Sequence, residues 1–338
     1  MLMLAVCLLE TVAVAAVRRR AVTPGRPAGP CVVRGLANFY YSSDGGANWS
    51  LNSAAPTKDG SWDLAVLDGE PEALIAVVQR DILDSMDGGC TWTLRHTIAE
   101  EIHHTIHITP GPGGRAFIWS EDFVLRYDRG EVIPIATPDR IGGLGVDSGN
   151  REHVQVLDVE TGIVRESLNG GQTWLAVGPT AGGPINSAAF DPLDFRHILA
   201  GVQAKGIRIS RNGGKTWSDG APTNRSICTM SFADGRPDIV WATLPSQAGV
   251  AFVQRSSDAG VHLDPIGRIE GVQQGVCLPV QPNRNNPDLA IVAFGAFHTF
   301  DAVRKSVTAS ACCGGRMERV AYSRKDPSRV YIYASLAN

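Results

Sequence analysis

The densest group of side chains able to do chemistry is Glu100-Glu-Ile-His-His-Thr-Ile-His107. Drawn as an extended strand, it sets Glu101, His103, Thr105 and His107 on one face and Ile102, His104, Ile106 and Ile108 on the other. Imidazole and carboxylate suit zinc, copper or iron, so Glu101, His103 and His107 are candidate ligands for a divalent metal. The plainer reading is a polar strand whose histidines bond to water, since no other group at matched spacing offers an orienting partner. No cofactor is otherwise implied. Gly142-Gly-Leu-Gly145 has no helical pattern after it to form a phosphate cradle, and no Gly-x-Ser-x-Gly elbow occurs. Paired acids are the second chemistry to weigh. Two carboxylates roughly 5–5.5 Å or 6.5–9.5 Å apart can hydrolyse a glycoside, and Asp63 with Glu101 or Glu318 are the candidates. Asp63, the 100–107 run and Glu318 lie far apart in the sequence, so a repeating scaffold has to bring them together.

The composition limits that scaffold. In 338 residues, 31 Lys and Arg stand against 34 Asp and Glu. This near balance gives no general grip on nucleic acid. Glycine is abundant, 37 residues with 20 prolines, but follows no triplet, so it marks many turns between short strands. Leu2 to Val17 is apolar apart from Glu10 and Thr11 and is followed, not preceded, by Arg18-Arg19-Arg20. It is too short for a stable membrane span, and reads as a degenerate export signal, as strands of the fold, or as an artefact of an upstream start codon. Export to the exterior or the cell surface is slightly favoured. The seven cysteines form no Cys-x-x-Cys pair and read as buried or loop thiols, with room for one bridge.

One octet recurs: Ser, any residue, Asp or Asn, any residue, Gly, two residues, Trp. It occurs at 42–49, 85–92, 167–174 and 210–217, with a worn copy at 256–263 that ends in Leu263. Tyr127-Asp128-Arg-Gly130 and Phe300-Asp301 are fainter copies. The acid or amide falls at 44, 87, 128, 169, 212, 258 and 301, at intervals of 43, 41, 41, 43, 46 and 43. Such a period is the mark of four-stranded propeller blades. Within the octet, Asp44, Asp87, Asn169, Asn212 and Asp258 can accept from backbone N–H groups across the turn. The fifth-position glycine permits a positive φ. Trp49, Trp92, Trp174 and Trp217 can cover apolar surface beside the hairpin.

These octets resemble the Asp-box, or BNR, repeat of sialidase-like β-propellers. The resemblance implies an all-β fold, a single propeller of four-stranded antiparallel blades. It implies no one activity, because such propellers include glycosidases, receptors, assembly factors and non-catalytic binders. A sialidase would also carry an Arg-Ile-Pro segment, three clamping arginines and a tyrosine nucleophile. This chain has no Arg-Ile-Pro; against that template, Arg19, Arg140, Arg225 and Arg319 could imitate the clamp by two-pronged contact with a carboxylate, and Tyr322 is a conceivable nucleophile.

The units read as 17–60, 61–101, 102–139, 140–183, 184–225, 226–272 and 273–315, with a closing half-unit at 316–338 and an uncertain segment at 1–16. Pairing the half-unit with the first boxed hairpin gives seven blades; using residues 1–16 instead gives eight. Seven is favoured. In either ring the innermost strand starts just after the preceding box, so one channel mouth should gather Trp62 and Asp63, Glu100 to His104, Arg140, Asn186, Arg225, Gln273 and Gln274, and Arg316, Glu318 and Arg319. Loops at a mouth carry function while blade packing carries stability. The expected role is that of a monomeric propeller binding a glycan or protein at this mouth. The rivals are a glycoside hydrolase using the paired acids and a metal-dependent enzyme using Glu101, His103 and His107.

Overall fold

The computed structural model describes residues 39–336 except 47, 54–60, 69–71, 138–139, 311–314 and 327. Apart from one helical turn at Pro112–Gly114, its regular structure is all strand. The strands form seven four-stranded antiparallel sheets. Six are built from consecutive strands and are numbered here as blades 2 to 7: residues 61–97, 107–135, 141–176, 185–219, 229–270 and 280–310.

Blade 1 closes the ring with both ends of the described chain. Its outer strands are Phe39–Ser42 and Ser50–Ser53, and its inner strands are Gly315–Tyr322 and Val330–Leu336. The joint is antiparallel, with Phe39 opposite Tyr333 and Tyr41 opposite Tyr331. The alternative of eight blades is thereby set aside, because the closing half-unit finds its partner in the first boxed hairpin. Residues 1–16, the alternative source of an eighth blade, lie outside the described residues. At the seam with blade 2, the buried Glu72 accepts from the Tyr331 hydroxyl at 2.8 Å and from Ser323 Oγ.

Burial follows from position in a blade. The second strand of each sheet is covered on both faces by its neighbours, so it can be apolar throughout. Ala73–Val78 (ALIAVV) and Ile198–Val202 (ILAGV) are buried at every residue. Outermost strands such as Thr93–Thr97 face water and are polar and mostly exposed. The core is correspondingly divided into seven apolar clusters, one at each interface between adjacent blades. Glycines at 143 and 145 serve this packing. A Cβ at Gly143 would lie 2.5 Å from the Ala188 Cβ, and one at Gly145 2.3 Å from the Phe190 ring. Their place is the innermost strand of blade 4, pressed against blade 5, and not a nucleotide loop.

The boxes fasten hairpins and then fasten blades. In the first, Ser42 Oγ donates to Asp44 Oδ1 at 2.7 Å and accepts from Gly46 N at 2.8 Å, while Asp44 Oδ1 accepts from Asn48 N at 2.8 Å. The same pattern recurs in the boxes at 85, 167 and 210. It also holds in the worn copy, where His262 N donates to Asp258 Oδ1 at 2.9 Å. The fifth-position glycines hold φ between +87° and +95°, a region costly for any other residue. Each tryptophan reaches back to the preceding blade. Trp49 stacks on Phe297 at 5.1 Å, and Trp92 meets Phe39 edge-on at 5.0 Å. Trp174 and Trp217 donate to the carbonyls of Ala136 and Pro179. In the fainter copies, Asp301 still caps its turn through Val303 N and Arg304 N. Asp128 instead accepts from Arg115 at 2.8 Å.

Candidate functional site in the central channel

The innermost strands neighbour one another around the ring, and the space they enclose is a cavity of about 1170 Å³ lined by residues of all seven blades. Its wall falls into two arcs. Among the described residues, every charged or histidine side chain that lines it comes from blades 1 to 4 and the segments leading into them: Asp63, Arg80, His103, His104, His107, Glu121, Arg140 and Arg319. From blades 5 to 7 come Ile185, Ile227, Val276, Leu278, Pro279, Ala293 and Phe294, a disulfide, and only uncharged polar groups such as Asn186, Ser226 and Thr229.

In the polar arc the groups hold one another. Asp63 accepts from Leu64 N at 2.9 Å and from Ile108 N at 2.7 Å, which ties blade 2 to blade 3. Burial pushes its carboxyl above the usual range, and Arg319 and the two amides draw it partly back. His107 begins its strand opposite Trp119, and the two rings lie 4.6 Å apart. Burial, with Arg319 beside it, pushes the His107 imidazole down to about 4, so it is neutral at pH 7. Trp119 Nε1 donates to Thr109 Oγ1 at 2.9 Å and fixes the ring. Arg80 donates to the carbonyls of Ile98, Ala99 and Glu100, anchoring the segment that carries the histidine run. At the rim, Arg140 pairs with Glu121 and with Glu160, and His104 lies 3.4 Å from Glu121 and 3.5 Å from Asp122.

The apolar arc is bridged rather than paired. Cys228, at the entry to blade 6, is joined to Cys277, at the entry to blade 7, with a Cα–Cα distance of 5.2 Å. Cys90, in the second box, is also disulfide-bonded. The reading of the cysteines as thiols with room for one bridge is therefore corrected: all three described cysteines take part in disulfides, in two separate bridges. Cys7, Cys31, Cys312 and Cys313 lie outside the described residues.

Of the sequence-predicted mouth residues, Asp63, His103, His107, Arg140, Asn186 and Arg319 line the cavity. Trp62 and Glu318 are on innermost strands, but their side chains lie outside the described set. Arg19 is outside it altogether. Glu101, Arg225 and Gln274 do not line the cavity. Glu101 is exposed, 3.5 Å from His103. Arg225 donates to the Pro245 carbonyl at 2.6 Å and covers the Phe252 ring. Gln274 Oε1 accepts from Ala248 N at 3.0 Å. The predicted strand across 101–108 is also corrected. Regular pairing starts only at His107, so the expected shared face of Glu101, His103, Thr105 and His107 does not form. Among the described residues, no group of three or more His, Cys, Asp or Glu side chains is arranged to hold a metal ion. Tyr322 is buried and outside the cavity lining, and burial pushes its phenol well up, away from a nucleophile's range.

Sequence reasoning passed over Arg80, Trp119, Glu121 and Phe294. Each sits where the second strand of a blade, or the turn after it, returns to the same mouth at which the first strand starts. The end of each apolar run marks that place.

Residues 40–51 match the BNR/Asp-box repeat, in a ring of seven four-stranded blades. The chain is a seven-bladed β-propeller that carries Asp-box repeats. One stretch of 117 residues in this propeller is 32% identical to the dispase autolysis-inducing protein of Streptomyces mobaraensis. That stretch covers 34% of the propeller chain and 30% of the relative, so it spans less than a third of the relative's length. Among solved structures, YCF48 bound to D1 peptide superposes with a TM-score of 0.57 at 14% identity, over 91% of this chain and all of that one. An ancestral GH74 enzyme gives 0.55 at 15% identity, over 83% of this chain and 44% of that one. At these identities the two structures share the fold with this propeller and nothing finer follows. Among the described residues, no helix is long and apolar enough to cross a membrane.

Proposed function

We propose that the propeller binds a segment of polypeptide in the mouth of its central channel. The observation that carries this reading is the division of the wall. A peptide offers apolar side chains and a polar backbone together, and this cavity offers an apolar arc facing a hydrogen-bonding one. The neutral His107 can both donate to and accept from a peptide group. A glycan is the weaker candidate. Sugars favour an open aromatic face, and the Trp119 face is taken by His107. Hydrolysis is also weaker, since Asp63 is held by two amides and Glu121 by Arg140. The names of two similar proteins, one bound to a peptide and one inducing autolysis of another protein, lean the same way. Disulfides belong to oxidising compartments, which supports a role outside the cytoplasm.

The test is selection from a displayed random-peptide library on the whole propeller. Peptides should be recovered whose affinity falls about tenfold or more in Val276→Asp, a lining residue that is only partly buried. Peptides indifferent to Val276→Asp and to Arg140→Gln would overturn the site. Cleavage of chromogenic glycosides by the wild type, lost in Asp63→Asn, would replace the reading with the hydrolase one.

A further inference from the structure

We infer that the Cys228–Cys277 disulfide is a thiol-exchange site, at which an aliphatic thiol entering the channel becomes bonded to Cys277. Two observations carry the assignment. The first is access from one side. Both cysteines line the cavity, but Cys277 is exposed, in the irregular segment before blade 7, whereas Cys228 is only 7% exposed. A nucleophile arriving through the channel therefore meets Cys277 Sγ first.

The second is that the bridge spans a seam already closed without it. Gly275 N donates to Ser246 O at 3.0 Å, and Ser246 N donates to Val276 O at 3.1 Å. Val276 N donates to Ser246 Oγ at 3.0 Å, and Val272 N to Gly249 O at 3.1 Å. On the other flank, Cys228 N donates to Thr243 O at 2.8 Å, and Thr243 Oγ1 donates to Leu278 O at 2.7 Å. Opening the bond leaves these contacts in place, so exchange needs no unfolding. The arc also carries no charged side chain among the described residues, so no carboxylate of its own repels an incoming thiolate. Cys90 supplies a contrast, since its disulfide is anchored in a box outside the cavity lining.

In the exchange, the thiol gives its proton to solvent and the resulting thiolate attacks Cys277 Sγ. A bond forms between the two sulfurs as the Cys277–Cys228 bond breaks. The electron pair leaves on Cys228 Sγ, which takes a proton from water. One disulfide is consumed and one is made, so no oxidant or reductant is needed. Return attack by Cys228 releases the thiol. The inference is independent of the peptide reading.

The test uses the full chain under native conditions at about pH 8, where thiols are partly ionised. Two probes distinguish the sources of such a thiol: cysteamine, and an apolar nonapeptide with one central cysteine. After acid quench and alkylation of free thiols, peptide mapping should find the probe on Cys277 and a free thiol on Cys228, with the melting temperature unchanged and the Cys90 bridge intact. An adduct with either probe upholds the site and says which source fits. An adduct on Cys228, or none with either probe until the protein melts, overturns it. Cys228→Ser gives a second measure if it folds. Its Cys277 should react with dithiobis(nitrobenzoate) within about a hundredfold of the rate of free glutathione; a slower rate overturns the assignment.

Discussion

The two arcs of the channel wall sit on the same repeated strands yet are built by opposite means. In blades 2 to 4 the wall is held by a mesh of charged and polar contacts: Asp63 to the blade 3 backbone, Arg80 to the 98–100 carbonyls, Arg140 to two glutamates. In blades 5 to 7 the wall is the inner edge of the core itself, with Ile185 and Ile227 almost wholly buried, and one disulfide across it. A propeller position therefore dictates location but not chemistry. In the second arc, the atoms that would meet the proposed peptide are those of the core itself; in the first, the two tasks would be largely separable. Substitutions should expose that difference.

The largest effect is expected in the apolar arc. Ile227 is 0% exposed, and Ile227→Asp would bury a carboxylate in a stretch of wall with no charged lining residue among those described. A stability loss on the order of 4 kcal/mol or more is expected in urea unfolding; a wild-type midpoint would break the claim that this wall is core. Leu278→Ala comes next, at about 2–4 kcal/mol by the same measurement, because Leu278 is 5% exposed and its loss leaves a cavity.

His107 gives a pH-dependent term. Its folded value of about 4 lies below the ordinary value, which is roughly 6.5 in the unfolded chain. The unfolded state thus takes up the proton first as pH falls. The contribution is intact above about 6.5, is lost between 6.5 and 4, and levels off below, a total on the order of 3 kcal/mol. His107→Asn should flatten the stability–pH curve across that window; an unchanged slope would place the titration elsewhere. Arg140→Gln should do least to the fold. Arg140 is exposed on the rim, so its melting temperature should match the wild type, while affinity for a selected peptide drops about tenfold. A lower melting temperature with intact affinity would reverse the roles assigned to the two arcs.

The ring and its boxes were legible because their causes are local. An octet in which Ser42 and Asp44 satisfy the turn's own amides needs no distant partner to be recognised. Blade 3, whose hairpin turns through Arg129 and Gly130 without a box, was recovered only by its interval. The mouth was legible where a residue lies on or beside the start of an innermost strand, as Asp63, Arg140 and Asn186 do. It was not legible at 101–106. That segment is irregular, so a two-residue alternation could not say which way Glu101 or His103 would point. The bridge from Cys228 to Cys277 was illegible for another reason. Its ends are 49 residues apart and belong to different blades, and spacing alone does not determine pairing.

Blade 1 joins the hairpin at 39–53 to strands that begin at 315. During synthesis that hairpin emerges well before its partner, and its inner edge, at Phe39–Ser42, stays unpaired until nearly three hundred further residues have left the ribosome. A closing contact of such long range slows assembly and leaves an adhesive border on the nascent chain for as long as elongation lasts. Removing the last strand, Val330–Leu336, would make that temporary border permanent. Such a shortened chain should self-associate even though the interfaces among its other blades are complete.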